Sequence, residues 1–348
     1  MDNIIVSVVI PVYNEEKHIE KCVKSLLEQD YPADNMECIF ADGMSTDRTV
    51  EILNGYAEKY PNLIKVVNNP HKVVTYAVNI AIANSVGKYI VRLDAHSDYA
   101  KDYISKCVYH LENTDADNVG GVAETKAFGF VGNAIAKMLS SKFGVGNSQF
   151  RTAGEDGYVD TVPFGAFRRE VFEKLGLFDE RLIRSEDNEM NYRIRKNGGK
   201  IYMSNDIKLT YYCRDTVKAL LKMAFGNGFW TIITMKVCPG TMGLRHFIPF
   251  AFVMSVIGLS VLSFLHMIFL WLLLAEMILY FALGIYSAVE KTKAIKEIIF
   301  MLVLYPLFHC AYGIGSLCGL TKLFSKKYKK DYVPPKLEDY EKYIVKAV

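Results

Sequence analysis

The sequence predicts an α/β domain built on a mostly parallel sheet, followed by an α-helical membrane module. Three observations carry this reading. Short β-branched apolar runs alternate with segments of helical period over the first 215 residues, the rhythm of strand–helix–strand crossovers. From about His246 the character changes, and long apolar stretches dominate. Acidic side chains recur where predicted strands end, the place where such sheets bind ligands.

The elements follow in order. Ile4 to Val12 is an apolar strand run that stops at Tyr13-Asn14. Glu15 to Gln29 carries Ile19, Cys22, Val23, Leu26 and Leu27 on one helix face, and Tyr31-Pro32 ends it. Glu37 to Ala41 is a second strand closed by Asp42-Gly43, and Thr46-Asp47 opens a helix through Tyr56. Leu63 to Val67 is a third strand, Thr75 to Ala83 a helix, and Tyr89 to Leu93 a fourth strand that delivers Asp94. Tyr13, Asp42 and Asp94 each follow a predicted strand's carboxyl end, so one crevice could hold all three.

Beyond Asp98 the rhythm loosens. Val119 to Ala123 and Val159 to Phe164 read as strands, and Phe128 to Val145 as a helix pair or lid. Arg168 to Leu175 is a short helix. Asn188 to Lys196 is another, stopped by Asn197-Gly198-Gly199. Lys200 to Met203 and Ile207 to Tyr212 are late strands.

Thr216 to Val237 mixes Lys218, Lys222 and Lys236 with Leu220, Phe225, Phe229 and Trp230, which suits a helix lying in a membrane interface. From Phe247 to Ser287 the strongly polar side chains are His266 and Glu276 alone. That is enough for two spans of ~20 residues each. Ile298 to Phe324 is a third apolar stretch, interrupted by Pro306 and Gly313-Ile314-Gly315. Basic residues at Lys291–Lys296 and at Lys326, Lys327, Lys329 and Lys330 follow the second and third stretches. The positive-inside rule keeps both clusters in the cytosol only if the third stretch breaks and re-enters. The expected organisation is a catalytic domain over 1–215, an interface helix and linker over 216–245, spanning or re-entrant helices over 246–324, and a basic cytosolic tail over 325–348.

Composition excludes several classes. Hydrophobic residues make up 51% of 348, and the net charge is only +3, too little for a nucleic-acid-binding face. The seven cysteines form no C-x-x-C pair, so reduced thiols are expected rather than disulfides or zinc. Met1-Asp2-Asn3 lacks a basic leader, and no signal peptide is expected.

Two acidic motifs carry the chemistry. Arg92-Leu93-Asp94-Ala95-His96-Ser97-Asp98 follows the fourth strand, and Ser185-Glu186-Asp187-Asn188-Glu189 lies far downstream. A carboxylate at a strand mouth suits a hard cation holding a phosphate, and a second carboxylate can accept a hydroxyl proton. Taken alone, Asp42 is also an ordinary turn residue before glycine. Glu15 and the Glu186-Asp187-Glu189 run are also first-turn helix acids.

Together these motifs resemble family 2 glycosyltransferases, inverting enzymes of GT-A fold, Rossmann-like and mostly parallel. Val8-Val9-Ile10-Pro11-Val12-Tyr13-Asn14-Glu15 is similar to the family's opening. Ala41-Asp42-Gly43-Met44-Ser45-Thr46-Asp47 is similar to its D-G-S-x-D turn, Asp94-Ala95-His96 to its D-x-D, and Glu186-Asp187 to its E-D base motif. A nearer likeness is to the membrane-attached glucosyltransferases of succinoglycan type. It rests on Arg92-Leu93-Asp94-Ala95-His96, Phe143-Gly144-Val145-Gly146, Glu186-Asp187-Asn188-Glu189-Met190-Asn191-Tyr192-Arg193 and His309-Cys310-Ala311-Tyr312-Gly313.

The resemblance implies transfer of a sugar, glucose by the nearer likeness, from a UDP-sugar to a lipid-linked saccharide in exopolysaccharide or cell-surface glycan assembly. It implies Asp187 as base, and Pro11, Tyr13, Glu15, Asp42 and Asp94 around the donor. Asp94 and His96 would hold Mn²⁺ or Mg²⁺, the imidazole favouring manganese. Asp98 either joins the metal or caps a turn. Arg184 either meets the diphosphate or pairs with Glu186, with the pair preferred. Glu186 is expected to raise the affinity of Asp187 for protons, and Trp230 to cover the donor. The implied place is the plasma membrane, multi-pass, with the catalytic domain cytosolic. The competing readings are a polyprenyl-phosphate sugar synthase and a non-catalytic membrane scaffold. A processive synthase is disfavoured by the absence of Q-x-x-R-W.

Overall fold

The computed structural model describes residues 4–152, 155–328 and 332–345. The expected roles of Met1-Asp2-Asn3 and of Lys329 and Lys330 lie outside the described residues. The strands are β1 (Val6–Val12), β2 (Met36–Asp42), β3 (Ile64–Asn68), β4 (Tyr89–Arg92), β5 (Ser97–Tyr99), β6 (Asn118–Lys126), β7 (Gly157–Tyr158), β8 (Ala166–Arg168) and β9 (Ile201–Tyr212). The helices begin with α1 (Ile19–Leu27), α2 (Thr49–Lys59), α3 (Val74–Ala83), α4 (Tyr103–Asn113), α5 (Gly129–Leu139), α6 (Lys142–Val145) and α7 (Gln149–Thr152). They continue with α8 (Arg169–Leu175), α9 (Glu186–Lys196), α10 (Val217–Val237), α11 (Ile248–Leu262), α12 (Met267–Lys291) and α13 (Ile295–Leu320).

The chain forms two compact units. The first comprises Met1–Glu124, Ala153–Tyr211 and Tyr332–Val348; the second comprises Thr125–Thr152 and Tyr212–Asp331. These divisions differ from the linear boundaries expected at residues 215 and 325. The insertion carrying α5 to α7 belongs with the membrane helices. The segment from Tyr332 belongs with the sheet rather than with a free basic tail.

In the first unit the strand order is β3-β2-β1-β4-β8-β6-β9-β5, with β7 on β9. β1 lies parallel between β2 and β4, and β2 pairs parallel with β3. Their near-continuous burial is what parallel strands covered on both faces require. The other half of the sheet is antiparallel, so the sheet is mixed rather than mostly parallel.

The apolar run Val159–Phe164 is a loop, not the expected strand. Pro163 has no N–H to give, and Phe164 and Gly165 both take positive φ. The buried Asn191 side chain holds the loop, donating to Thr161 Oγ1 at 2.8 Å and Val162 O at 2.9 Å. The two late strands are one, β9. Gly120 and Gly121 of β6 lie where a side chain would not fit. A Cβ on Gly121 would lie 1.8 Å from Ile207 O, and one on Gly120 2.7 Å from Val162 Cβ.

The segment after Tyr332 straps onto the first unit. Tyr340 is buried and reaches Glu180, and the Asn79 amide donates to its hydroxyl at 3.2 Å. Asn84 donates to Tyr343 O at 3.0 Å, and the Arg181 guanidinium stacks 3.9 Å above the Tyr332 ring.

In the second unit α11, α12 and α13 are each long and apolar enough, with their flanking turns, to cross a membrane. α13 is continuous through Pro306, where a broken segment was expected. Its glycines are contact points, not breaks. A Cβ on Gly315 would lie 2.1 Å from Phe225 O, and one on Gly228 of α10 1.9 Å from Tyr312 O. Small residues let helix backbones approach this closely. Two motifs from the resemblance meet here. The Phe143 ring packs on Tyr280, Tyr305 and His309. His309 Nδ1 sits 2.8 Å from Tyr280 Oη, and Tyr312 Oη 2.7 Å from Thr231 Oγ1.

Candidate active site

The carboxyl ends of β1, β2 and β4 bring three loops of the first unit together at the point where strand order reverses, the usual ligand position in such sheets. The β1 and β2 loops are tied to each other. Asn14 N donates to Ser45 Oγ at 2.8 Å, Thr46 N to Asn14 Oδ1 at 2.8 Å, and Glu15 N to Thr49 Oγ1 at 2.7 Å. Asp42 is buried, and both its oxygens accept from Ser45, from the N–H at 3.0 Å and the hydroxyl at 2.5 Å. Its carboxylate therefore builds the turn directly. Tyr13 stands 49% exposed beside that turn, an open aromatic face. Pro11 lies in β1 opposite Ala41.

Asp94 follows β4. Its N–H donates to the buried Tyr99 hydroxyl at 2.7 Å, which fixes the backbone where the side chain departs. Burial raises its pKa, against the pull of Arg92 and His96. His96 Nε2 lies 3.9 Å from Asp94 Oδ2, and its Nδ1 lies 3.6 Å from Glu15 Oε1. Glu15 thus joins this group rather than acting only as a helix acid. Among the described residues no three His, Cys, Asp or Glu side chains are arranged around one metal position. Asp94 and His96 offer one oxygen and one nitrogen donor, which fits an ion whose remaining ligands are phosphate oxygens and water. Asp98 pairs with Lys21 at 2.6 Å.

Glu186 and Asp187 open α9, after Ser185 in left-handed conformation. Arg92, at the end of β4, receives both. Arg92 Nη2 donates to Glu186 Oε1 at 2.7 Å, and Nη1 to Asp187 Oδ1. Burial pushes Asp187 up to about 7, opposed by the Arg92 guanidinium and assisted by Glu186 and Asp94. Burial is the larger cause, and the like charge of Glu186 adds to it in the expected direction. Trp230 lies on α10 in the second unit, its ring edge-on to Tyr328 at 6.1 Å.

Sequence reasoning assigned no role of their own to Arg92 or Tyr99. One signal was present: an arginine ending a buried strand beside an acidic motif needs an anionic partner.

The model of the family described as Glycosyl transferase family 2 matches residues 7–176. Succinoglycan biosynthesis protein ExoA of Rhizobium meliloti (strain 1021) is 32% identical over 246 residues, spanning 70% of this chain and 74% of that protein. The chain belongs to glycosyl transferase family 2. A second relative of this family 2 chain is the dolichyl N-acetyl-alpha-D-glucosaminyl phosphate 3-beta-D-2,3-diacetamido-2,3-dideoxy-beta-D-glucuronosyltransferase of Methanococcus voltae. It is 28% identical over 324 residues, 91% of this chain and 97% of its own. Among solved structures, the mannosyltransferase PcManGT from Pyrobaculum calidifontis, in complex with GDP-Man and Mn²⁺, superposes with a TM-score of 0.62. It is 20% identical and covers 90% of this chain and 86% of its own. The family 2 domain thus has the GT-A fold.

Proposed function

We propose that this family 2 glycosyltransferase moves a sugar from a UDP-sugar, with inversion, to a lipid-linked saccharide in exopolysaccharide or cell-surface glycan assembly. The observation that carries the reading is the convergence of Asp94 at the end of β4 with Asp187 at the start of α9, joined through Arg92. An inverting displacement needs those two parts: a site for the leaving diphosphate and a carboxylate to receive the acceptor's proton. The Methanococcus relative's name gives a dolichyl-linked sugar phosphate as acceptor, and the Rhizobium relative's name gives succinoglycan biosynthesis. Both favour a lipid-linked saccharide over simple polyprenyl phosphate.

Each residue has a task. Tyr13 and Pro11 wall the base of the donor nucleoside, and Asp42 holds the turn beneath it. Asp94 and His96 would hold a divalent cation, which when bound neutralises the leaving diphosphate as a Lewis acid. Asp187 takes the proton of the acceptor hydroxyl as that oxygen attacks the anomeric carbon. Glu15 orients His96. The plasma membrane is the proposed location, multi-pass, with the first unit cytosolic.

A nucleotide-release screen on the purified full-length protein tests this, with UDP-glucose, other UDP-sugars and GDP-mannose as donors. The acceptor is either a lipid-linked saccharide or polyprenyl phosphate alone. The expected result is UDP-sugar turnover that needs the saccharide acceptor, stops with EDTA, and shifts from Mn²⁺ toward Mg²⁺ in His96→Asp. Preference for GDP-mannose overturns the donor assignment. Turnover on polyprenyl phosphate alone overturns the acceptor assignment.

A further inference from the structure

The guanidinium at the end of β4 has no assigned part in the transfer, yet it touches both acidic residues of α9. Arg92 is 3% exposed. Its two terminal nitrogens fork across Glu186 and Asp187, one to each carboxylate. Its Nε is buried without a hydrogen-bond partner among the described residues. Its backbone N–H donates to Gly165 O at 3.0 Å, so the strand fixes the root of the side chain. The Phe178 ring lies 5.6 Å from the guanidinium carbon. Asn79 grips Phe178 on both backbone groups, at 2.9 Å each.

We propose that Arg92 is the positioning residue of this transferase: its planar fork holds Glu186 and Asp187 in one orientation and ties the start of α9 to the strand that delivers Asp94. This rests on the reading of Asp187 as base. Two neighbouring carboxylates at a helix start repel each other, and a shared cation with two parallel donors holds both. A lysine offers a point charge and cannot reproduce the fork. Buried ion pairs contribute little net stability compared with apolar packing, so the arrangement is better explained by orientation than by fold strength. A base misplaced by ~1 Å loses on the order of a hundredfold in rate, and a single arginine spans the distance between donor strand and base helix. The charged groups that face Asp187 are Arg92, Glu186 and Asp94.

The test compares wild type, Arg92→Gln, Arg92→Lys and Asp187→Asn as full-length protein, using the best UDP-sugar and acceptor of the wild type. Rates, donor KM, UDP binding by calorimetry and the pH profile of kcat are measured. Arg92→Gln is expected to lower kcat by about tenfold or more while donor KM and UDP affinity stay within about threefold. Arg92→Lys is expected to recover part of the loss. In both variants the acid limb of the profile moves to higher pH, because a cation facing Asp187 is removed or weakened. A kcat for Arg92→Gln within about twofold of wild type overturns the proposal. So does an equal loss of kcat and UDP affinity in both Arg92 variants, which marks a purely structural residue. An inactive Asp187→Asn beside an active Arg92→Gln defeats this proposal and leaves the base assignment standing. An active Asp187→Asn defeats the base assignment itself.

Discussion

Asp187 occupies an environment that favours its neutral form, and one buried cation keeps it usable. Burial raises its pKa to about 7, and the guanidinium of Arg92 works against that rise. A proposed base must be ionised to accept a proton, so kcat is expected to climb as pH rises through about 7 and to fall below it. Asp187→Asn removes the acceptor of that proton while keeping size. It is expected to lower kcat by about a hundredfold or more with donor KM nearly unchanged, measured by initial rates. A variant above about a tenth of wild-type rate contradicts the assignment. The placement of Asp42, Asp94 and Asp187 at strand and helix ends was legible because each sits in a short motif. That Arg92 reaches Glu186 was not legible. Arg92 lies 94 residues from Glu186 in sequence, and the nearer Arg184 was the more natural choice. Local spacing cannot reveal a pair that only the sheet brings together.

At the scale of elements, the parallel half of the sheet was legible and the antiparallel half was not. β1, β2 and β4 are unbroken buried runs between good helices, and their order follows from crossover rules. β5, β7 and β8 have two or three residues each, too short to show a period. Val159–Phe164 misled because its apolar residues are pinned by the Asn191 side chain rather than by a ladder. Pro306 and the α13 glycines misled in the same way, since breaking residues and close-packing residues look alike in sequence. The packing role has a direct test. Gly228→Ala places a Cβ 1.9 Å from Tyr312 O, and overpacking of this kind costs about 1–3 kcal/mol. Thermal unfolding in detergent should show a lower Tm, whereas Gly258→Ala, with nothing within 4 Å of its Cβ, should leave Tm unchanged. Equal Tm values for the two variants contradict the close helix contact.

For the whole molecule, the first unit is made of chain from before and after the membrane helices. We propose that both ends of the segment carrying α11 to α13 lie on one side of a membrane, which requires an even number of full crossings. We expect α11 and α12 to form the crossing hairpin and the unbroken α13 to be an interfacial helix on the side of the first unit. Phe264 and Phe324 are 91% and 92% exposed at the relevant turns. A membrane-impermeant maleimide should label Phe264→Cys from outside intact cells, and Phe324→Cys only after permeabilisation. Labelling of Phe324→Cys from outside contradicts this topology. Such an arrangement keeps the donor site and the head group of a lipid-linked acceptor on one side of the bilayer, as transfer requires. The central claim is a single displacement with Asp187 as base, and the anomeric configuration of the product reports it most directly. With an α-linked UDP-sugar and a lipid-linked saccharide, the proton NMR coupling of the new anomeric centre should show a β-glycoside. An α-glycoside, meaning retention, would contradict the account.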